Sequence, residues 1–152
     1  MRELKINLSD VISVIAEKLE QGGEVMFSPH GTSMLPTLKE GRDTVVLVAP
    51  RSRLKKYDLA LFRRNNGQYV LHRVIHSGSS YTFMGDNQLW REKNIQHEQI
   101  VGVCIAYVRN GKRVELNSFG CRIYARFWHG TRFFRRAYRA LQRRIKALLG
   151  HH

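Results

Sequence analysis

Residues 58–85 read DLALFRRNNGQYVLHRVIHSGSSYTFMG, and the turn signals that punctuate this stretch decide the fold. Two apolar-rich runs, 58–63 and 68–76, are separated by a turn containing Asn66-Gly67. That dipeptide between strand-like runs signals a tight hairpin, because Asn and Gly tolerate the positive φ angles such a turn requires. A third run, 80–85, follows Ser77-Gly78-Ser79 and would fold back on the second. Working outward, further strands are expected at about 24–28, 43–49 and 100–108, with a weaker one at 112–116. Lys39-Glu40-Gly41 and Asn110-Gly111 punctuate them. Short strands in series, without alternating helices, imply a mostly β fold (a barrel or a folded sheet) rather than βαβ units.

The two ends differ from this middle. Leu8-Ser9-Asp10, followed by Val11, Ile12, Val14, Ile15 and Leu19, reads as a capped amphipathic helix that stops at Gly22-Gly23. Near the other end, Phe127, Phe134, Tyr138, Leu141, Ile145 and Leu148 recur at helical spacing over 122–149. Arginines fill the positions between them, so this segment is expected to be a basic amphipathic helix, with a break near Gly130. The organisation expected is an N-terminal helix over 1–23 packed on the domain, a β domain over 24–120 and the basic helix over 121–152. His151 and His152 are set aside.

The chain carries 26 Lys and Arg against 12 acids over 152 residues. All 12 acids lie before residue 121, and the segment 121–152 holds nine basic residues and no acid. A block of one sign is normally an interaction surface for phosphates, of lipid headgroups or of nucleic acid. Anionic membrane binding through 122–149, nucleic-acid binding, and packing of the aromatic stripe on the β domain all fit this pattern. No apolar run approaches the roughly 20 residues that span a bilayer. Asp10, Glu17 and Glu20 interrupt the first apolar pattern, which is therefore not a signal-peptide core. A cytoplasmic protein, or one peripheral to the membrane, is expected. Cys104 lies in an apolar run and reads as a small buried hydrophobe, while Cys121 precedes the basic tail. The two show neither metal spacing nor a disulfide framework, and no metal or cofactor is expected.

Three places could carry chemistry. Gly31-Thr32-Ser33-Met34-Leu35-Pro36 puts a hydroxyl on a turn, between a permissive glycine and a proline. A serine hydroxyl needs a base within hydrogen-bond reach, and histidine has the suitable pKa. His72 shares a strand face with Val70 and Val74, so its ring needs a partner inside the protein. That partner is either a backbone carbonyl, in a purely structural role, or a catalytic group. Asp86, in Gly85-Asp86-Asn87, returns toward His72 if 68–76 and 80–85 form a hairpin.

The segments Gly31–Leu38, Tyr57–Phe62, Val70–Ile75 and Gly85–Asn87 together resemble, in order and spacing, the boxes of type I signal peptidases. The wider superfamily includes the self-cleaving LexA-type repressors. The likeness covers about residues 24–106. Where the bacterial branch has Lys, this chain has His72, so it resembles the archaeal and endoplasmic-reticulum Ser-His branch. The resemblance implies a signal-peptidase/LexA-like folded β-sheet. It also implies a serine endopeptidase acting on a peptide or leader-type substrate, with small side chains preferred just before the cut. It implies Ser33 as nucleophile, His72 as general base and Asp86 as the carboxylate that orients the ring.

Three departures stand out. Gly31 occupies the place where many relatives put a hydroxyl, leaving the Ser33 N–H and Thr32 as oxyanion donors. Glu92 stands where Ser-His relatives often carry a further Asp, so either Asp86 or Glu92 could orient His72. The sequence also has no apolar run long enough for the membrane anchor such peptidases use. Two other readings remain open. One is a non-catalytic peptidase-fold module that binds a membrane surface or nucleic acid through the basic tail. The other is a LexA-like self-cleaving regulator, although one helix before residue 24 is too little for a helix-turn-helix.

Overall fold

In the computed structural model, residues 8–149 are described, with only the backbone described at 8–10. The hairpin forms where Asn66-Gly67 places it. Strands β3 (Leu59–Arg63) and β4 (Tyr69–Ser77) pair antiparallel from Leu59↔Arg73 to Arg63↔Tyr69. Gly67 adopts φ +86°, and the Arg64 N–H donates to the Gln68 carbonyl at 2.7 Å to close the loop. The other strands are β1 (Val25–Phe27), β2 (Asp43–Val48), β5 (Tyr81–Met84), β6 (Glu92–Ile95), β7 (Ile100–Arg109) and β8 (Lys112–Glu115). All pair antiparallel in one sheet of order β1-β2-β7-β3-β4-β5-β6, and β8 pairs with β7. The mostly β expectation holds.

Seven of the eight strands lie where the sequence places them, within one or two residues. The exception is β6, whose Glu-Lys-Asn-Ile sequence shows no strand-like alternation. It forms because it adds to the edge of β5, with Phe83 opposite Glu92 and Tyr81 opposite Ile95. Tertiary pairing there overrides a weak local preference.

Alternation along the strands divides the core in two. Leu59, Leu61, Leu71 and Cys104 join Val45 and Leu47 in a cluster that also takes Ile12, Ile15 and Leu19. Those three come from helix α1 (Leu8–Glu20), which packs against the sheet through them. The Ser9-Asp10 cap expected at its start lies outside the described side chains. Ala60, Phe62, Val74, Tyr81, Phe83 and Ile95 form the second cluster. Phe62 and Phe83 stack with ring centroids 4.4 Å apart. Gly102 lets α1 approach the sheet, since a Cβ there would stand 2.9 Å from Leu19 Cδ1. Burying a side chain of the size of Leu or Phe is worth about 1.5–3 kcal/mol, so these two clusters dominate the stability.

The basic segment forms two helices, α2 (Phe119–Gly130) and α3 (Arg132–Leu149), which meet at Thr131, one residue past the expected break. Ser118 caps α2 by accepting from the Cys121 N–H. The apolar stripe of α3 is not packed on the β domain: none of its residues is buried. Among the described residues, no helix is long and apolar enough to cross a membrane.

Candidate functional site

The turn carrying Ser33 begins at Gly31, whose φ of +88° only glycine adopts readily. The carboxylate of Glu40 holds this end of the turn, accepting from the Gly31 N–H at 2.8 Å and contacting His30 Nδ1 at 2.8 Å. The other end is anchored by Met34 and Leu38, both buried in the first cluster. Between these anchors Ser33 is half-buried.

A second clamp joins this turn to residues 85–88. The Asn87 N–H donates to the Ser33 carbonyl at 2.8 Å, and Asn87 Nδ2 donates to the Thr32 carbonyl at 3.1 Å. A Cβ on Gly85 would stand 2.6 Å from the Ser33 carbonyl oxygen, closer than real contacts allow. Glycine is therefore required at 85 to let the serine turn approach. The ladder between β4 and β5 ends at Arg73↔Met84, so Gly85 is the first residue past it on one strand and His72 the first past it on the other. Beyond that point β5 leaves β4. Residues 69–72 then pair with β3 on one side and, among the described residues, with no strand on the other. Ser33 and the residues Tyr69, Val70 and Leu71 line one apolar cavity of about 470 Å³ there.

His72 is buried at 1% exposure and faces the second cluster, with its ring 6.3 Å from that of Phe62. Its Nδ1 lies 2.8 Å from Oε1 of Glu92, although the N–H is not aligned for a hydrogen bond. Phe83 explains the contact: it packs on the His72 side of the sheet, and Glu92 is its partner on β6. Arg64 grips the same carboxylate with two hydrogen bonds, Nε to Oε2 at 2.6 Å and a terminal nitrogen to Oε1 at 2.7 Å. Burial pushes the His72 pKa below its ordinary value, and the Glu92 charge only partly offsets this. Burial alone would raise the Glu92 carboxyl, but the Arg64 hydrogen bond and the neighbouring positive charges bring it below the usual range. At neutral pH the result is a neutral imidazole beside an ionised carboxylate, the state a general base requires.

Asp86 is not the carboxylate against His72. Neighbouring strand residues point to opposite faces, so Arg73 faces away from His72, and Asp86 follows Arg73. Both Asp86 oxygens accept from Arg73 at 2.8 Å, and Thr37 Oγ1 and His129 Nε2 (at 3.0 Å) also reach it. Burial would raise this carboxyl, but the Arg73 hydrogen bonds and charge, with His129 and Thr37, hold it well below the carboxylate range. Asp86 is thus a structural hub that ties the serine turn, β4 and α2 together. Trp128 adds to it by donating its indole N–H to the Asp86 carbonyl at 2.8 Å.

No hydrogen bond joins Ser33 Oγ to His72 among the described residues. The other oxyanion candidate, Thr32, is exposed. Cys104 is buried, which pushes its thiol up to about 12. Among the described residues, no cluster of His, Cys, Asp and Glu could hold a metal ion. Sequence reasoning missed Arg64, Arg73, Thr37, Trp128 and His129. Of these only Arg73 left a signal, as the charged neighbour of His72 inside an apolar strand. No protein-family model matches the chain, and no curated protein matches it.

Proposed function

We propose that the protein is a serine endopeptidase resembling the Ser-His branch of type I signal peptidases. In this reading Ser33 is the nucleophile, His72 the base and Glu92 the carboxylate that orients the ring. The observation that carries it is the buried His72–Glu92 contact, with the serine turn held against Gly85, just past the Arg73↔Met84 end of the ladder.

The chemistry is acyl transfer. Neutral His72 takes the Ser33 proton as Oγ attacks the scissile carbonyl, and later returns it to the leaving amine. Water then hydrolyses the acyl-enzyme with the same base. Glu92, kept ionised by Arg64, stabilises through its charge the imidazolium that forms. A positioned base of this kind is worth ~10²–10⁴-fold. The Ser33 backbone N–H serves as an oxyanion donor.

The open edge of β4 at 69–72 suits an extended peptide substrate. Main-chain hydrogen bonds to a free edge supply affinity, and a pocket beside it selects side chains. A peptide laid along this edge would run past Ser33, with the neighbouring apolar cavity taking an uncharged side chain. The proposed substrate is a peptide or leader-type segment presented in extended form.

A mixed-sequence peptide library, incubated with the protein and analysed by mass spectrometry, tests this proposal. Cleavage with a shared rule at small residues, lost in both Ser33→Ala and His72→Ala, is the expected result. Cleavage that persists in His72→Ala, or none with the wild-type protein, would count against it.

A further inference from the structure

On the face of the sheet opposite the His72 cluster, a cavity of about 920 Å³ opens between β4–β6 and the α2–α3 junction. Its lining includes five permanent cations: Lys56, Arg91, Lys93, Arg132 and Arg136. His76 and His129 add two rings, and no carboxylate lines it. The alternation of β6 explains part of this crowding. Glu92 turns to His72 and Arg64, so its neighbours Arg91 and Lys93 turn the other way, into the cavity. The nearby carboxylate of Asp86 is already taken by Arg73, Thr37 and His129. Arg91, Lys93 and Arg136 form no ion pair among the described residues.

Like charges gathered this closely repel one another. Burial and the charges of Arg91 and Arg136 lower the pKa of Arg132, a sign that the cluster lacks its counter-ion. A large basic cavity without an internal acid fits a phosphate-bearing ligand.

The surroundings indicate where that phosphate comes from. Phe133, at the cavity wall, begins the apolar stripe of α3 and is 76% exposed. Phe134, Tyr138, Leu141, Ile145 and Leu148 continue the stripe, and all are exposed. On the other side of the helix, Arg132 donates to the Leu89 carbonyl and Arg139 to Asn87 Oδ1 at 2.7 Å. The helix is therefore fixed to the domain by its basic side while its apolar side faces outward. A second copy of the chain is a poor cover for that stripe, because each copy brings a segment with nine basic residues and no acid. A bilayer with anionic headgroups satisfies both the stripe and the charge.

We propose that this cavity binds the headgroup phosphate of an anionic phospholipid while the α3 stripe enters the same leaflet. The inference is independent of peptidase activity.

Co-sedimentation of the full chain with vesicles tests it, comparing phosphatidylcholine alone with an equimolar mixture of phosphatidylcholine and phosphatidylglycerol. Binding to the mixture alone is expected. The triple variant R91Q/K93Q/R136Q should bind the mixture ~10²-fold more weakly, since each basic residue near such a surface contributes ~1 kcal/mol. A control with the same charge loss outside the cavity, K39Q/R51Q/K112Q, should lose far less. Circular dichroism establishes that both variants fold. Equal losses in the two triples, or equal binding to neutral vesicles, would overturn the proposal. So would binding of inorganic phosphate or of a short RNA that depends on Arg91, Lys93 and Arg136 while vesicle binding does not.

Discussion

Replacing Glu92 with Gln should drive the pKa of His72 further down. The carboxylate oxygen stands 2.8 Å from Nδ1, and the two side chains are only 13% and 1% exposed. At an effective dielectric of ~20, unit charges ~4 Å apart interact by ~4 kcal/mol. That sets an upper limit of ~3 pKa units, at 1.36 kcal/mol per unit. Arg64 shares the carboxylate and already cancels part of its field. Once Glu92 is neutral, however, the Arg64 guanidinium is left uncompensated beside the ring and acts in the same direction. A fall of about 1–3 units follows. The assay is NMR titration of the imidazole Cε1–H signals, with His72 assigned by its loss in His72→Gln. The wild-type ring should titrate below its ordinary value, the Glu92→Gln ring lower still, and the Asp86→Asn ring close to wild type. An unchanged or raised pKa in Glu92→Gln would refute the assignment of Glu92 as the partner. A larger fall in Asp86→Asn would restore Asp86 to that role.

Other substitutions test the scaffold. Gly85→Ala drives a Cβ into the Ser33 carbonyl and should cost about 1–3 kcal/mol in urea unfolding, as overpacking typically does; peptide cleavage should fall with it. Asp86→Asn leaves Arg73 buried without its counter-ion and should destabilise by about 3–5 kcal/mol in the same assay. Asp43 is held at about 2 by Arg109, Arg42 and the Lys39 N–H, against the upward push of burial. Its pKa is lower folded than unfolded, so its contribution is complete above the unfolded value and disappears as pH falls toward the folded one. The stability difference between wild type and Asp43→Asn should therefore be about 2 kcal/mol or more at pH 6 and shrink toward zero near pH 2, as measured by denaturant unfolding.

How far the sequence could be read depended on whether local pattern or distant pairing determined each part. The hairpin over 58–77 was legible because Asn66-Gly67 and the apolar-rich runs on either side of it act over a few residues. β6 was not, because Glu92–Ile95 becomes a strand only by adding to β5. The site divides in the same way. His72 was identifiable as a polar ring on an apolar face, and Ser33 as a hydroxyl on a Gly-Pro turn. The choice between Asp86 and Glu92 needed the register of β4, β5 and β6. Counting outward from Met84 opposite Arg73 turns Asp86 to the Arg73 face and leaves His72 to the β6 carboxylate. The outward-facing stripe of α3 was also beyond sequence reading, since an amphipathic pattern does not reveal what covers its apolar side.

The central claim is that Ser33 becomes nucleophilic through His72. A fluorophosphonate probe, which labels only activated serines, tests it most directly by intact-protein mass. The expected result is one adduct per wild-type chain, absent in Ser33→Ala and strongly reduced in His72→Gln. An unlabelled wild-type protein, or an adduct that forms equally well without the imidazole, would contradict the account.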